Sequence, residues 1–110
     1  MDQFIVVDED NKGGRLVADL LLDTGHTRLA YIAGKANTST NLDREVGFTQ
    51  RLRERGYHVL LREQANYTYE TGLEAARRLL VSDDRPDAIF CANDIMALGA
   101  IDAARERVCA

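Results

Sequence analysis

The sequence predicts an α/β fold in which a parallel sheet carries helices on both of its faces. Short runs of β-branched and aliphatic residues alternate with longer segments of helical apolar periodicity, which gives the order βαβαβαβα. Consecutive parallel strands need crossover connections, here helices, and these crossovers are right-handed and lie on the faces of the sheet. The 110 residues and the hydrophobic share of 45% suit one small domain.

The first half of the chain contains two strand–helix units. The predicted elements are a strand over residues 4–7, a helix to about residue 23, a strand over residues 29–33 and a helix over residues 44–55. Asp10 or Asn11 offers an N-cap for the first helix. A polar loop is expected over residues 35–43, and long loops of this kind often carry function.

The second half repeats the alternation. The predicted elements are a strand over residues 58–62, a polar loop over residues 66–69, a helix over residues 70–81, a strand over residues 88–91 and a helix to about residue 107. Asn93 and Asp94 fit the start of the last helix, because both are favoured N-cap residues.

Charge and cysteine content exclude several classes of protein. The net charge of −4 argues against a segment that grips a nucleic-acid backbone by charge alone. Cys91 lies in an apolar run, so we expect a buried, reduced thiol, and neither cysteine has partners at metal-binding spacing. There is no apolar run of ~18 residues and no basic leader, so neither a membrane span nor a signal peptide is expected.

Catalytic and cofactor motifs are not found. The sequence has no GxSxG, HExxH or Walker-type segment, and Gly13-Gly14 lacks the spacing of a dinucleotide fingerprint. We therefore expect no enzyme activity, cofactor or metal. His26 has no nucleophile or metal partner in the pattern, so it is interpreted as a structural residue at a helix end.

A binding site is expected at the carboxyl ends of the strands, where open parallel sheets bind their ligands. The polar side chains that reach this edge come from residues 8–10, from the loop with Thr38 and Thr40, from Arg44, from the loop with Tyr67 and from Asn93-Asp94. Amides, hydroxyls, a guanidinium and an aromatic ring suit a small polyhydroxylated or heterocyclic ligand. Helix capping by Asp10 and Asn93, and ordinary loop packing by Tyr67, remain the structural alternatives.

Several motifs in order resemble the lactose-repressor and galactose-repressor type of bacterial transcription regulator. They are DNKGGRL at residues 10–16, LDTGHTRLAYI at 22–32, REVGF at 44–48, YTYETG at 67–72 and PDAIFCANDIMALG at 86–99. The resemblance spans nearly the whole chain and implies a periplasmic-binding-protein-like effector domain of two lobes.

The resemblance also implies roles for individual residues. Arg44 would contact effector hydroxyls or a carboxylate, Asn93 would face the ligand, and the Tyr67 ring would stack on it. Thr38 and Thr40 would line the cleft. An acid at the end of the first strand would join them, with Asp10 preferred and Asp8 and Glu9 left open, because the spacing to Gly13-Gly14 is one residue tighter than usual.

As a domain, residues 1–110 would be a partial effector-binding domain. Residues 1–11 would be the last strand of the first lobe and residues 12–110 most of the second, without a DNA-binding helix-turn-helix. The implied function is cytoplasmic: a sugar-like effector controls DNA binding allosterically, and DNA contacts come only from an N-terminal domain outside this stretch. No membrane contact is expected. Uncovered sheet and helix faces predict self-association as a homodimer.

Two other functions compete with this interpretation. A periplasmic sugar-binding protein of a transport system would have the same fold, and a signal peptide rather than a helix-turn-helix upstream would mark it. A small α/β enzyme, such as a phosphotransfer or hydrolase module, would need measurable turnover that depends on Asp94.

Overall fold

The computed structural model describes residues 4–8, 13–35, 39–81 and 83–109. Its elements are β1 (Ile5–Asp8), α1 (Gly13–Asp23), β2 (Leu29–Ala33), α2 (Ser39–Glu54), β3 (Leu61–Gln64), α3 (Tyr69–Leu80), β4 (Ala88–Cys91) and α4 (Asp94–Cys109). The predicted alternation of strands and helices is confirmed, as is the parallel sheet.

The four strands form one sheet in the order β1-β4-β2-β3, and every neighbouring pair is parallel. β1 lies at an edge, with Ile5 opposite Ala88 and Asp8 opposite Cys91. In this chain β1 therefore completes the same sheet as the other strands, and the assignment of residues 1–11 to a first lobe stays a prediction.

The strand order fixes where the helices lie. The chain moves in one direction from β1 to β2 and on to β3, then reverses and places β4 on the other side of β2. Because crossovers are right-handed, the reversal puts α3 on the face opposite α1 and α2, and α4 lies beside α3. The pairs α1–α2 and α3–α4 pack closely. The reversal also makes the gap between the carboxyl ends of β2 and β4 a topological switch point, the usual ligand position in such sheets.

An aromatic cluster holds α2 to the sheet. Tyr31 of β2, Phe90 of β4 and Phe48 of α2 are fully buried. Their ring centroids lie 5.9 Å apart for Tyr31–Phe48, 5.3 Å for Tyr31–Phe90 and 4.8 Å for Phe48–Phe90. The last two pairs meet edge to face, a favoured geometry for aromatic rings. The cluster anchors the strands and the helix that border the switch point.

The first turn of α1 approaches α2 closely near Arg44 and Phe48. A Cβ atom on Gly14 would lie 2.3 Å from the carbonyl oxygen of Arg44, so only glycine fits there. Further along the pair, Arg15 bonds to Glu54 and Arg51 to Asp19, at 2.8 and 2.7 Å. The close approach fixes the backbone at Arg44.

Two predicted boundaries were wrong. α2 begins at Ser39, not near residue 44, so most of the expected loop over residues 35–43 is helical. Four of the five residues from Ser39 to Asp43 are polar, and Leu42 alone makes no apolar stripe, which hid the first turn. β3 begins at Leu61, three residues later than predicted, and Val59 is 67% exposed. The Tyr57 hydroxyl accepts a bond from the Leu29 amide at 2.7 Å, which ties residue 57 to the start of β2 before β3 begins.

Candidate functional site

The switch point between β2 and β4 is surrounded by three chain segments. These are the turn that begins at Gly34 after β2, residues 65–68 after β3, and Ala92-Asn93 after β4. Ladder hydrogen bonds continue to the strand ends, because the Ala65 amide donates to Ala33 and the Ala92 amide to Ile32. The carboxyl edge is therefore a regular platform from which the loop side chains project.

Arg44 reaches this edge from α2. Its side chain is half-buried, and Nη1 donates a hydrogen bond to the carbonyl oxygen of Ala92. A guanidinium carries five donors in a fixed planar fork and stays charged at all ordinary pH values. The contact with Ala92 brings this charge to within one residue of Asn93, which begins the next helix.

Asn93 serves as the N-cap of α4. Its Oδ1 accepts a hydrogen bond from the Met96 amide at 3.0 Å, which satisfies an amide that a helix start leaves unpaired. Its Nδ2 donates to the carbonyl oxygen of Tyr67 at 3.3 Å. Capping is therefore real, but the same side chain also joins the loop after β3 to the start of α4.

Tyr67 occupies a backbone conformation that favours glycine, with φ at 66°. Its ring lies directly against Gly34: a Cβ atom there would be 2.1 Å from the ring carbon Cε1. The side chain is half-buried, and Thr68 next to it caps α3 through a capping box with Thr71. A strained residue kept between a rigid helix start and a close ring contact is typical of functional sites.

Polar residues that the sequence analysis did not identify support this edge. Gln64, the last residue of β3, donates from Nε2 to the carbonyl oxygens of Gly34 and Ala65, the latter at 2.9 Å. Its Oε1 accepts from Arg62, which forms two bonds to Glu45 of α2. Arg62 and Gln64 are the exposed positions of β3, and the two-residue period of a strand puts both on one face of the sheet.

Three of the six predicted site residues meet at this edge, namely Arg44, Tyr67 and Asn93. Thr40 lies in the first turn of α2, although its side chain is outside the described residues. Thr38 and Asp10 also lie outside the residues that the structure describes. Asp8 ends β1 opposite Cys91, at the same sheet edge.

Two titratable residues serve the scaffold rather than the site. Burial, with a smaller effect of Asp8, raises the pKa of the Cys91 thiol to about 12, so this residue stays a buried thiol as predicted. His26 lies before β2, at the opposite edge of the sheet. It is buried, with Nδ1 2.9 Å from the Thr24 hydroxyl, which confirms its structural role.

The described part of the chain shows neither a metal-binding cluster nor a membrane-spanning helix. It contains no group of three His, Cys, Asp or Glu side chains able to hold a metal ion. None of the helices within the described ranges is long and apolar enough to span a bilayer.

Comparison with known sequences gives one consistent family. A family described as "periplasmic binding protein-like domain" matches residues 18–109. The chain is 36% identical over 108 residues to an HTH-type transcriptional repressor PurR of Mannheimia succiniciproducens, covering 96% of this chain and 32% of the relative. It is 39% identical over 105 residues to the PurR of Erwinia tasmaniensis, covering 92% and 30%. The chain thus spans about a third of the length of these relatives.

Solved structures agree with this family. A sugar-binding transcriptional regulator of the LacI family from Escherichia coli, solved in complex with phosphate, superposes with a TM-score of 0.82 at 26% identity. The match covers 88% of this chain and 36% of that one. A LacI-family regulator from Burkhoderia phymatum gives a TM-score of 0.82 at 32% identity, covering 90% and 37%.

Proposed function

The chain belongs to the periplasmic binding protein-like domain family, in the form found in LacI-type regulators, and we propose that it provides part of the effector site of such a transcription regulator. The observation that carries this proposal is the convergence of Arg44, Tyr67 and Asn93 at the switch point of the sheet. The relatives named as transcriptional repressors support it.

The chemistry of the three side chains suggests the class of effector. The Arg44 guanidinium suits hydroxyl oxygens or a carboxylate. The side-chain amide of Asn93 bonds to Tyr67 and Met96, and its second amide hydrogen or second oxygen lone pair suits a further polar atom. The Tyr67 ring offers an apolar face for a flat or weakly polar surface. A sugar or related small metabolite matches this set, and a heterocyclic base is the competing ligand class.

The remaining predicted residues complete the proposed site. Thr38 and Thr40 precede Arg44 and would add hydroxyl groups to the cleft. Asp10, or its neighbours Asp8 and Glu9, would supply a carboxylate from the end of β1. Residues 12–110 would form most of one lobe of a two-lobed domain, and residues 1–11 the last strand of the other.

The proposed mechanism is allosteric rather than catalytic. An effector that binds between two lobes favours the closed state only by the difference in its affinity for the closed and open states. In a homodimer, lobe closure would move the DNA-binding helices, which in this proposal lie in another part of the whole protein. The protein would then act in the cytoplasm, with DNA and the effector as its partners.

A periplasmic sugar-binding protein of a transport system is the second candidate, because the matched family is described as periplasmic binding protein-like. The repressor relatives favour the regulator. A helix-turn-helix segment encoded upstream supports the regulator, whereas a signal peptide there supports the transport protein.

The Arg44→Ala variant of the intact protein tests the proposed site. Thermal unfolding is measured with D-galactose, D-ribose, adenine and guanine as probes. Arg105→Ala is the matched control, because the Arg105 side chain is 77% exposed. We expect a probe to raise the midpoint by several degrees in the parent and in the control, but not in Arg44→Ala. An equal rise in all three proteins would contradict the role of Arg44.

A further inference from the structure

The Tyr67 ring makes a close contact with Gly34, which is not one of the three site residues. Asn93 bonds to the backbone of Tyr67, at its carbonyl oxygen. The ring lies against Gly34, whose missing side chain makes room for it. The position of the ring therefore depends on where the backbone at Gly34 lies.

Gln64 controls that backbone. The last ladder bond between β2 and β3 runs from the Ala65 amide to Ala33, at 2.9 Å, so Gly34 lies just past the end of the ladder. There the Gln64 side-chain amide donates to both Gly34 and Ala65, one carbonyl from each strand end. This bond replaces the missing rung and holds the surface on which the ring of Tyr67 rests.

Gln64 is itself held by α2. Arg62 donates from Nη2 to Oε1 of Gln64 at 3.1 Å, and from Nε and Nη2 to Glu45 at 2.5 and 3.1 Å. The Glu45 side chain is only 19% exposed. Glu45 directly follows Arg44 in the helix, so a continuous series of hydrogen bonds joins the helix that carries the guanidinium to the loop that carries the ring. Members of such networks orient one another cooperatively.

We propose that Gln64 is a positioning residue for the effector site: through its bonds to Gly34 and Ala65, and through Arg62 and Glu45, it sets the place of the Tyr67 ring relative to Arg44. Gln64 does not contact the ligand in this account. The inference rests on the proposed function, because that function makes Tyr67 the aromatic surface for the ligand.

The first part of the test needs no ligand. Gln64→Met keeps the side-chain length and removes the amide, and NMR of the full chain reports the α-protons of Gly34, which a ring current shifts upfield when the Tyr67 ring lies on them. We expect these resonances to move downfield in Gln64→Met and their cross-peaks to the ring protons to weaken. Glu106→Gln is the control, since it weakens another two-bond Arg–Glu pair, the one that Arg77 of α3 forms with Glu106 of α4, away from Gly34.

The second part measures binding of D-galactose, D-ribose, adenine and guanine by calorimetry. For a probe that the parent binds, Gln64→Met should raise Kd about tenfold, the effect of one lost net hydrogen bond. The control should change Kd less than about twofold, as expected for an exposed ion pair. Glu45→Gln is a milder change and should also raise Kd. It keeps the test valid if Gln64→Met fails to fold.

The outcomes separate the two proposals. Unmoved Gly34 resonances in both Gln64→Met and Glu45→Gln overturn the positioning role, and probe binding by the parent would leave the effector site standing. An unchanged Kd in Gln64→Met also overturns the positioning role. If the Gly34 resonances move in Gln64→Met but the parent binds none of the four probes, the control of the ring by Gln64 is supported. That result counts against the proposed function instead.

Discussion

Asn93 donates a hydrogen bond from its side chain to the backbone carbonyl of Tyr67, across 3.3 Å. This bond links the start of α4 to a residue in the left-handed backbone region, at 66° in φ. A strained backbone persists only where its surroundings fix it. Here Oδ1 of the same Asn93 amide caps α4 by accepting a bond from the Met96 amide. The strained backbone of Tyr67 is therefore held by the start of a helix.

The two bonds of Asn93 can be separated by substitution. Asn93→Ala removes both and should lower the free energy of unfolding by about 1–2 kcal/mol. Asn93→Asp keeps a capping oxygen, which the helix dipole also favours, and should lose much less. Urea unfolding of the three proteins measures this difference. Equal losses in both variants would show that the cap contributes little.

Gly34→Ala should disturb the Tyr67 ring, because the added methyl group would lie 2.1 Å from ring carbon Cε1. We expect a loss of about 1–3 kcal/mol, the usual cost of overpacking. In a Tyr67→Gly background the same substitution should cost much less, because the ring is gone. A double-mutant cycle measured in urea gives the coupling. Gly47→Ala, where the nearest contact is 3.6 Å, is the control and should be neutral or stabilising.

Acid should weaken the ion pairs between α1 and α2. Hydrogen bonds from Arg15 and then Arg51 lower the pKa of Glu54 from 4.5 to about 2 in the folded chain. The unfolded state therefore takes up the proton first as the pH falls, and the contribution of Glu54 to stability is lost between about pH 4.5 and pH 2.

The comparison with Glu54→Gln measures this contribution. At pH 7 the variant should be less stable than the parent in urea, and the gap should narrow steadily as the pH is lowered through that window. A gap that stays constant from pH 7 to pH 3 would mean that the pairs with Arg15 and Arg51 do not stabilise the fold.

The thiol of Cys91 should be inert in the folded protein. It is fully buried, and its pKa of about 12 leaves almost no thiolate at pH 8. In a Cys109→Ser background, a thiol-specific chromogenic disulfide should react only after unfolding in guanidinium chloride. Fast stoichiometric reaction without denaturant would contradict the buried position of β4.

Local sequence patterns predicted the central strands well. β2 and β4 have the predicted bounds because each is a continuous apolar run between turn residues, as befits strands buried on both faces. β3 was misplaced because it is an edge strand whose sequence, Leu61 to Gln64, is mostly polar. Val59 and Leu60 fitted the strand pattern better, but the pairing with β2 begins only at Leu61.

The site was predictable to the extent that its residues follow strands or begin helices. Arg44 and Asn93 carry motif and capping signals, and Tyr67 lies in a recognisable polar loop. The contacts that join them depend on strand order and register, which no local pattern contains. Gln64 was missed for this reason: its role appears only when β2 and β3 are paired with Ala33 opposite Gln64.

Binding to the Tyr67 ring tests the central claim most directly. Calorimetric titration of the intact protein with D-galactose, D-ribose, adenine and guanine should detect binding of at least one probe by the parent. Tyr67→Phe keeps the ring and should bind that probe within about threefold of the parent, whereas Tyr67→Ala should bind at least about tenfold more weakly, as expected when an aromatic stacking contact is lost. The same affinity in all three proteins, or binding of none of the probes by the parent, would contradict an effector site at this edge of the sheet.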